Sequence, residues 1–273
     1  MRSSVYNASI KRYLSYFISC GLLAVVYMVV IHGIHRLSVV TIIVITPTYK
    51  RPERLAEMTR ISQTLSHIND LHWIVIEDAN ETVKAVQRIL NRSGLKHVYF
   101  YTTTQPGFPK RGWTHRNEGL KYIRKNYQNF RRPAVVYFAD DDNTYDIRLF
   151  NYYIRNVKTI GFWAVGLSGK ALVEAPHVQN GKIVSWDVVY APDRTFATDM
   201  AGFAVNLELI LKTKAVFRKG CKTPEDCFLK QFNISLAETQ AFGYNEIPKE
   251  ILVWHTQAKK GIFTGDRHGY EIE

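Results

Sequence analysis

"VVYFADDDNTYD", residues 135–146, decides how this chain is read. A run of β-branched and aromatic residues ends in three consecutive aspartates. The run has the composition of a buried strand. Neighbouring carboxylates repel, and folding alone does not ask for three of them at a strand's mouth. Their place there calls for something positive to be bound.

Upstream segments repeat the strand pattern. "VVTIIVI", residues 39–45, is a β-branched run of the kind buried on both faces of a parallel sheet. "TPTYKRP" follows as a loop. Then Leu55, Met58, Ile61, Leu65 and Ile68 recur at helical spacing, with Pro52 suited to the first turn. "HWIVIED" (72–78) predicts a second strand, 81–91 a helix, "HVYFY" from His97 a third strand, 114–127 a helix, and "AVVYFAD" (134–140) the fourth strand. This alternation predicts an open α/β sheet. Such sheets bind ligands beyond the carboxyl ends of their strands. Tyr49, Asp78 and the Asp140-Asp141-Asp142 triplet all fall there. Neither a G-x-G-x-x-G nor a Walker loop is present, so a dinucleotide or P-loop site lacks its main sequence support.

The second half is less regular. Strands are expected at 162–168, 182–190 and 251–256, and a strand running into a helix over 201–214. A short helix over 223–232 has Thr223 as N-cap and Pro224 at N1. The expectation is one body with two lobes.

The 273 residues are 46% hydrophobic, enough for a sizeable core. A net charge of +12 implies an acidic partner such as a phosphate-bearing ligand, a polyanionic saccharide or an anionic membrane. The basic residues form no run of five or six, which argues against nucleic acid. Cys221 and Cys227 lack CxxC spacing; a short-loop disulfide and two free thiols both remain open. Residues 13–31 carry no charge and, at about 1.5 Å per residue, match the ~30 Å hydrocarbon core. Arg2, Lys11 and Arg12 precede that run, so the positive-inside rule predicts a cytoplasmic tail and a translocated body; the length of the run and the lack of an A-x-A-like site favour an uncleaved anchor over the rival reading, a cleaved signal peptide. The body then carries usable N-x-S/T sites at Asn80, Asn91 and Asn233.

An aspartate cluster after a buried strand suits Mn²⁺ or Mg²⁺, hard cations that keep positions open for phosphate oxygens; its ordinary role is an Asx-turn cluster. Arg111 and Arg116 flank a glycine-containing loop and could grip a phosphate or carboxylate, or be plain solvated charge. His255 ends an apolar strand, where a histidine is ordinarily core. Glu225 and Asp226 sit in the first turn of a predicted helix, where they complement its dipole; that dipole would keep Glu225 ionised, as a general base requires.

Taken together, "PTYKRPERLAEMTR", "LHWIVIEDA", "VVYFADDDNTY", "EAP", "DMAGFAVNLELIL" and "LVWHT" resemble the β-1,3-glucuronosyltransferases of the Golgi, over about residues 45–256. Within the family, "VSWDVVYAPDRTFATDMAGFAVNL" looks most like the branch that completes the proteoglycan linkage tetrasaccharide. The resemblance implies an α/β GT-A-type, Rossmann-like nucleotide-sugar transferase fold with an N-terminal transmembrane helix. Joined to the apolar run before it, the resemblance divides the chain into a tail at 1–12, an anchor at 13–34, a UDP-sugar lobe at 35–143 and an acceptor lobe at 144–273. It implies UDP-glucuronate as donor, a galactose-terminated glycan on a proteoglycan core protein as acceptor, Mn²⁺, a homodimer and a type II protein of the Golgi membrane. Tyr49 and Asp78 would hold the uridine. Arg111, Arg116, Asp140 and Asp141 would serve the nucleotide sugar, Asp142 would ligate Mn²⁺, and His255 would approach the diphosphate. Glu225 aligns with the catalytic base; Glu174, Arg194 and Asp199 fall where the family handles sugars.

The chain departs from the pattern in four places. Gln257 stands where an arginine commonly follows "WHT", and Asp226 where serine follows the base. The loop before Arg111 is shorter, and almost no stem separates Ile31 from Val39, as in a truncated chain. Glucuronylation of N-acetyllactosamine, and an inactive relative that binds nucleotide sugar or glycan, stay open.

Overall fold

The computed structural model describes residues 40–110 and 112–256. Expectations for the tail, the anchor at 13–34, Cys20, Arg111 and Gln257 lie outside the described residues. Among those described, no helix is long and apolar enough to cross a membrane.

The β-branched runs become strands because both faces of each are covered. These are β1 (Thr41–Thr48), β2 (Leu71–Asp78), β3 (Lys96–Thr102) and β4 (Ala134–Phe138). They lie parallel in the order β3-β2-β1-β4. Every residue of β4 is buried, as are the first six of β1. The crossovers are α1 (Arg54–Ser66), α2 (Lys84–Arg92) and α3 (Trp113–Asn126). α1 buries Met58, Ile61 and Leu65, as their spacing predicted.

The chain after residue 143 continues this sheet. β5 (Thr144–Tyr145), β6 (Ile160–Phe162), β7 (Val165–Gly166), β8 (Val173–Gln179), β9 (Lys182–Asp187), β10 (Phe203–Asn206), β11 (Gln240–Ala241) and β12 (Val253–Trp254) complete the strands of the described residues. β10 runs antiparallel beside β4, followed by β6 and β11. A second sheet has the order β5-β12-β7-β8-β9. β10 leads into α4 (Leu207–Lys212), and α5 (Pro224–Leu229) follows a loop. Two clusters of buried apolar side chains fill the two faces of the main sheet.

Several expectations are corrected. β1 runs on through Pro47 to Thr48, where a loop was expected. β4 pairs only with Thr41 to Ile45, so Pro47 lies where β1 has lost that neighbour and its missing N–H costs no ladder bond. α1 begins two residues after Pro52, and α2 begins at Lys84 rather than 81. The single strand expected at 162–168 is two strands in different sheets. Thr223 holds the N-cap position of α5, but its side chain makes no capping hydrogen bond.

Candidate active site

β1, β2 and β4 end on one side of the sheet and deliver Thr48, Tyr49, Asp78 and the aspartate triplet to a cavity of about 760 Å³. The start of α3 supplies Gly112, His115 and Arg116, and the segment after β12 supplies His255. Gly112 has φ 75° at the N-cap of α3. A Cβ there would meet Arg116 Nη1 at 2.8 Å and Pro47 Cγ at 3.0 Å. Gly112→Ala is therefore expected to lower stability by about 1–2 kcal/mol from the left-handed backbone alone. It also displaces Arg116, so weaker binding of a diphosphate-bearing ligand should accompany the lower Tm; a lower Tm with unchanged affinity for such a ligand would contradict this.

The three aspartates are not equivalent. Asp140 is paired with Arg116. Asp141 is buried, accepting from the Thr48 hydroxyl at 2.7 Å and paired with Arg51 at 2.7 Å. Asp142 receives no hydrogen bond at its carboxylate from any described residue, while its backbone carbonyl accepts from Arg60 (2.6 Å) and Thr256 (3.0 Å). Burial, then the charges of Asp140 and Asp141, push the Asp142 carboxyl up to about 7. No group of three or more His, Cys, Asp or Glu among the described residues is arranged to hold a metal unaided. One poorly compensated carboxylate nonetheless fits a hard divalent cation that takes its remaining oxygens from a diphosphate and water.

Tyr49 is 50% exposed, with the Arg51 guanidinium 4.7 Å from its ring centre. Asp78 accepts from the Thr104 amide (2.9 Å) and hydroxyl (2.6 Å) and lies 3.4 Å from His115 Nε2. Burial pushes His115 down, which keeps its imidazole neutral.

A second cavity of about 680 Å³ shares Arg116, Asp140 and His255 with the first and adds Ser168, Glu174, Tyr190, Arg194, Asp199 and Glu225. Asp199 accepts from Ala201 N (2.9 Å), Ser168 Oγ (2.9 Å) and His255 Nδ1 (3.0 Å). Burial raises its carboxyl, but the His255 hydrogen bond and charge outweigh that and hold it low. The same hydrogen bond pushes His255 up to about 9, an imidazolium at neutral pH on the boundary of the cavities. His255 is thus a member of the site rather than a core histidine. Arg194 donates to the Ala191 and Tyr190 carbonyls and stacks on the Tyr190 ring at 5.3 Å.

Glu225 occupies the first turn of α5 and is 15% exposed. Burial, then the charge of Asp199, raises its carboxyl to about 7, against Arg194 (4.0 Å away) and Arg116. The helix dipole expected to favour its ionised form is outweighed by desolvation in this wall. A carboxyl near 7 is well matched to proton abstraction at neutral pH. Asp226 is excluded from that role because it points inward, accepting from Phe196 N (3.0 Å) and Lys230 (2.7 Å). Cys221 and Cys227 are disulfide-bonded and bracket Glu225. Ser168, Tyr190, Thr48 and Arg51 were missed from sequence. For Ser168 the available signal was the Ser-Gly turn before the expected Glu174.

The family model "Glycosyltransferase family 43" matches residues 61–259. Galactosylgalactosylxylosylprotein 3-beta-glucuronosyltransferase 2 of Homo sapiens is 43% identical over 230 residues, covering 81% of this chain and 70% of the relative. Galactosylgalactosylxylosylprotein 3-beta-glucuronosyltransferase 1 of Rattus norvegicus is 39% identical over 243 residues, 83% of this chain and 71% of the relative. Among solved structures, S. aureus TarS 1-349 superposes with a TM-score of 0.50 at 15% identity, over 79% of this chain. The chain spans 60% of that structure's length, and the likeness shows the α/β fold alone. With nearly two hundred residues matched by the family model and two fifths of positions shared with these relatives, the chain belongs to glycosyltransferase family 43.

Proposed function

We propose that the chain transfers glucuronic acid from UDP-glucuronate to the 3-hydroxyl of a terminal galactose, with inversion, completing the proteoglycan linkage tetrasaccharide. One observation carries the reading: two cavities meet at Arg116, Asp140 and His255, and Glu225 lines the second. The names of the relatives supply the sugar and the acceptor. The donor enters the first cavity, its uridine between Tyr49 and Asp78, its diphosphate towards Arg116 and His255. The acceptor enters the second, against Glu174, Arg194 and Asp199.

Glu225 takes the proton of the acceptor hydroxyl as its oxygen bonds to the anomeric carbon. The bond from that carbon to the diphosphate oxygen breaks on the opposite face, and its electron pair leaves with UDP, so an α-linked donor gives a β product. Arg116 and His255 stabilise the charge developing on the leaving group. Mn²⁺ held by Asp142 would supply further Lewis-acid stabilisation of that charge.

The pH profile follows from the two perturbed groups. Glu225 must be ionised, so kcat/KM at saturating Mn²⁺ rises as pH increases through about 7. His255 must stay protonated, so activity falls as pH passes about 9. A flat profile across that interval contradicts both roles.

The direct test is incubation with radiolabelled UDP-glucuronate, Mn²⁺ and a Gal-β1,3-Gal acceptor. A labelled trisaccharide supports the reading; acceptor-dependent transfer only to N-acetyllactosamine replaces it; donor binding without transfer to either overturns it. We further propose a Golgi membrane location, with residues 13–34 as a type II anchor and the body lumenal. In intact vesicles the body should resist protease until detergent is added; digestion without detergent refutes that topology.

A further inference from the structure

Between β7 and β8 the chain makes a turn in which Leu167, Gly169 and Lys170 have φ of 58°, 56° and 70°. Leu167 and Lys170 carry side chains, and such residues hold this conformation only where their surroundings enforce it. The Leu167 amide donates to the Leu172 carbonyl and the Ala171 amide to the Ser168 carbonyl, each at 2.8 Å. What the turn delivers is the Ser168 hydroxyl. Ser168 is 3% exposed, and its Oγ lies 2.9 Å from Asp199 Oδ2 and 3.1 Å from Glu174 Oε2. Gly169 leaves the room: a Cβ there would stand 1.9 Å from Glu174 Oε1.

A serine hydroxyl has one proton to donate. With both carboxylates ionised, one of the two contacts would set lone pair against lone pair. Both are satisfied when Glu174 carries a proton on Oε2 and donates to Ser168 Oγ, while the Ser168 hydroxyl donates to Asp199. The reverse assignment fails on partners. Asp199 also accepts from the Ala201 amide and from His255, donors that favour its ionised form. Glu174 is 4% exposed, Ser168 is its side chain's one hydrogen-bond partner among the described residues, and its Oε1 is buried without a partner.

We propose that Ser168 is a positioning residue whose hydroxyl holds Glu174 as the neutral acid and Asp199 as the carboxylate, tying the acceptor cavity to the His255 imidazolium at the donor boundary. The proposal rests on the assignment of the second cavity to the acceptor. Burial pushes the Glu174 carboxyl up and Asp199 adds to the rise; Arg194 and His255 oppose it, as Ser168 would if its hydroxyl donated to Glu174 instead of to Asp199. Asp199 in turn faces His255, and its charge is felt by Glu225 and Tyr137. The arrangement places a hydrogen-bonding carboxyl against the acceptor without adding a second buried negative charge beside Asp199.

Ser168→Ala and Ser168→Thr in the full chain test it. In Ser168→Ala the acceptor KM is expected to rise about tenfold, the scale of a lost hydrogen bond to a charged group, with donor KM within about twofold of wild type. Ser168→Thr keeps the hydroxyl and restores most of the loss. Carbon NMR of the glutamate carboxyls, with Glu174 assigned through Glu174→Gln, should place Glu174 at the neutral-acid position at neutral pH and show a displaced titration in Ser168→Ala. An ionised Glu174 at neutral pH, or an unchanged acceptor KM in Ser168→Ala, overturns the proposal. If wild type transfers no glucuronic acid, the functional reading fails, and the NMR titration still decides the protonation of Glu174.

Discussion

Glu225→Gln is expected to lower kcat by at least about a hundredfold, within the ~10²–10⁴ range of general-base contributions. The amide keeps the volume and a hydrogen-bonding end but accepts no proton at neutral pH. Its bland alternative, complementing the dipole of α5, is worth only about 0.3–1 kcal/mol. The fold sharpens the contrast. Burial and the Asp199 charge raise the Glu225 carboxyl, so its ionised form already costs stability. Removing the charge should leave the chain as stable as wild type or slightly more so at alkaline pH, where the raised carboxyl is ionised. UDP and Mn²⁺ affinity should be preserved, because Glu225 lies outside the first cavity. A kcat within a few-fold of wild type would show Glu225 to be structural. Asp226 could not replace it without releasing Phe196 and Lys230, which leaves Asp199 as the carboxylate to test next.

Asp142→Ala is expected to cost more, about a thousandfold or greater, because a metal's charge stabilisation is worth several kcal/mol. The same substitution should make the metal-free chain more stable. The sign follows from the direction of the shift. A carboxyl whose folded pKa is raised from 3.8 to about 7 subtracts stability once pH exceeds the unfolded value, and the loss grows until pH passes about 7. In chelator, Tm at neutral pH should therefore rise in the variant, with little change in acid. Lost turnover with gained stability marks a residue kept for its ligand. Unchanged turnover with unchanged Mn²⁺ dependence would remove Asp142 from the metal.

The main sheet was legible because β1, β2 and β4 are buried on both faces, and such strands announce themselves as apolar runs. β8 was not read. Pro176 interrupts it, and its burial alternates only loosely. β5 and β11 are two residues long and carry no period; pairing across the chain makes them strands, whereas β7 and β12, equally short, lie inside the runs expected at 162–168 and 251–256. The site shows the same division. Strand ends located Tyr49, Asp78 and the triplet, since position along a strand is a local property. Which aspartate stays uncompensated is set by Thr48 and Arg51, far upstream in the chain, and by Arg116 on α3. The raised Glu225 carboxyl has the same origin: a dipole is read from neighbours in sequence, desolvation from neighbours in space. Ser168 shows its role only once the fold brings Asp199 and Glu174 to either side of it.

The Cys221–Cys227 bond closes a small ring around Thr223, Pro224 and Glu225, while among the described residues no cysteine lines the first cavity. Disulfides persist in oxidising compartments and are lost in the cytosol. A chain made under reducing conditions can then build its sheet and first cavity while leaving the segment that carries Glu225 untethered. Folded yield and competent yield become separate quantities. The specific activity of a preparation that passes every test of folding would then record where the chain was made.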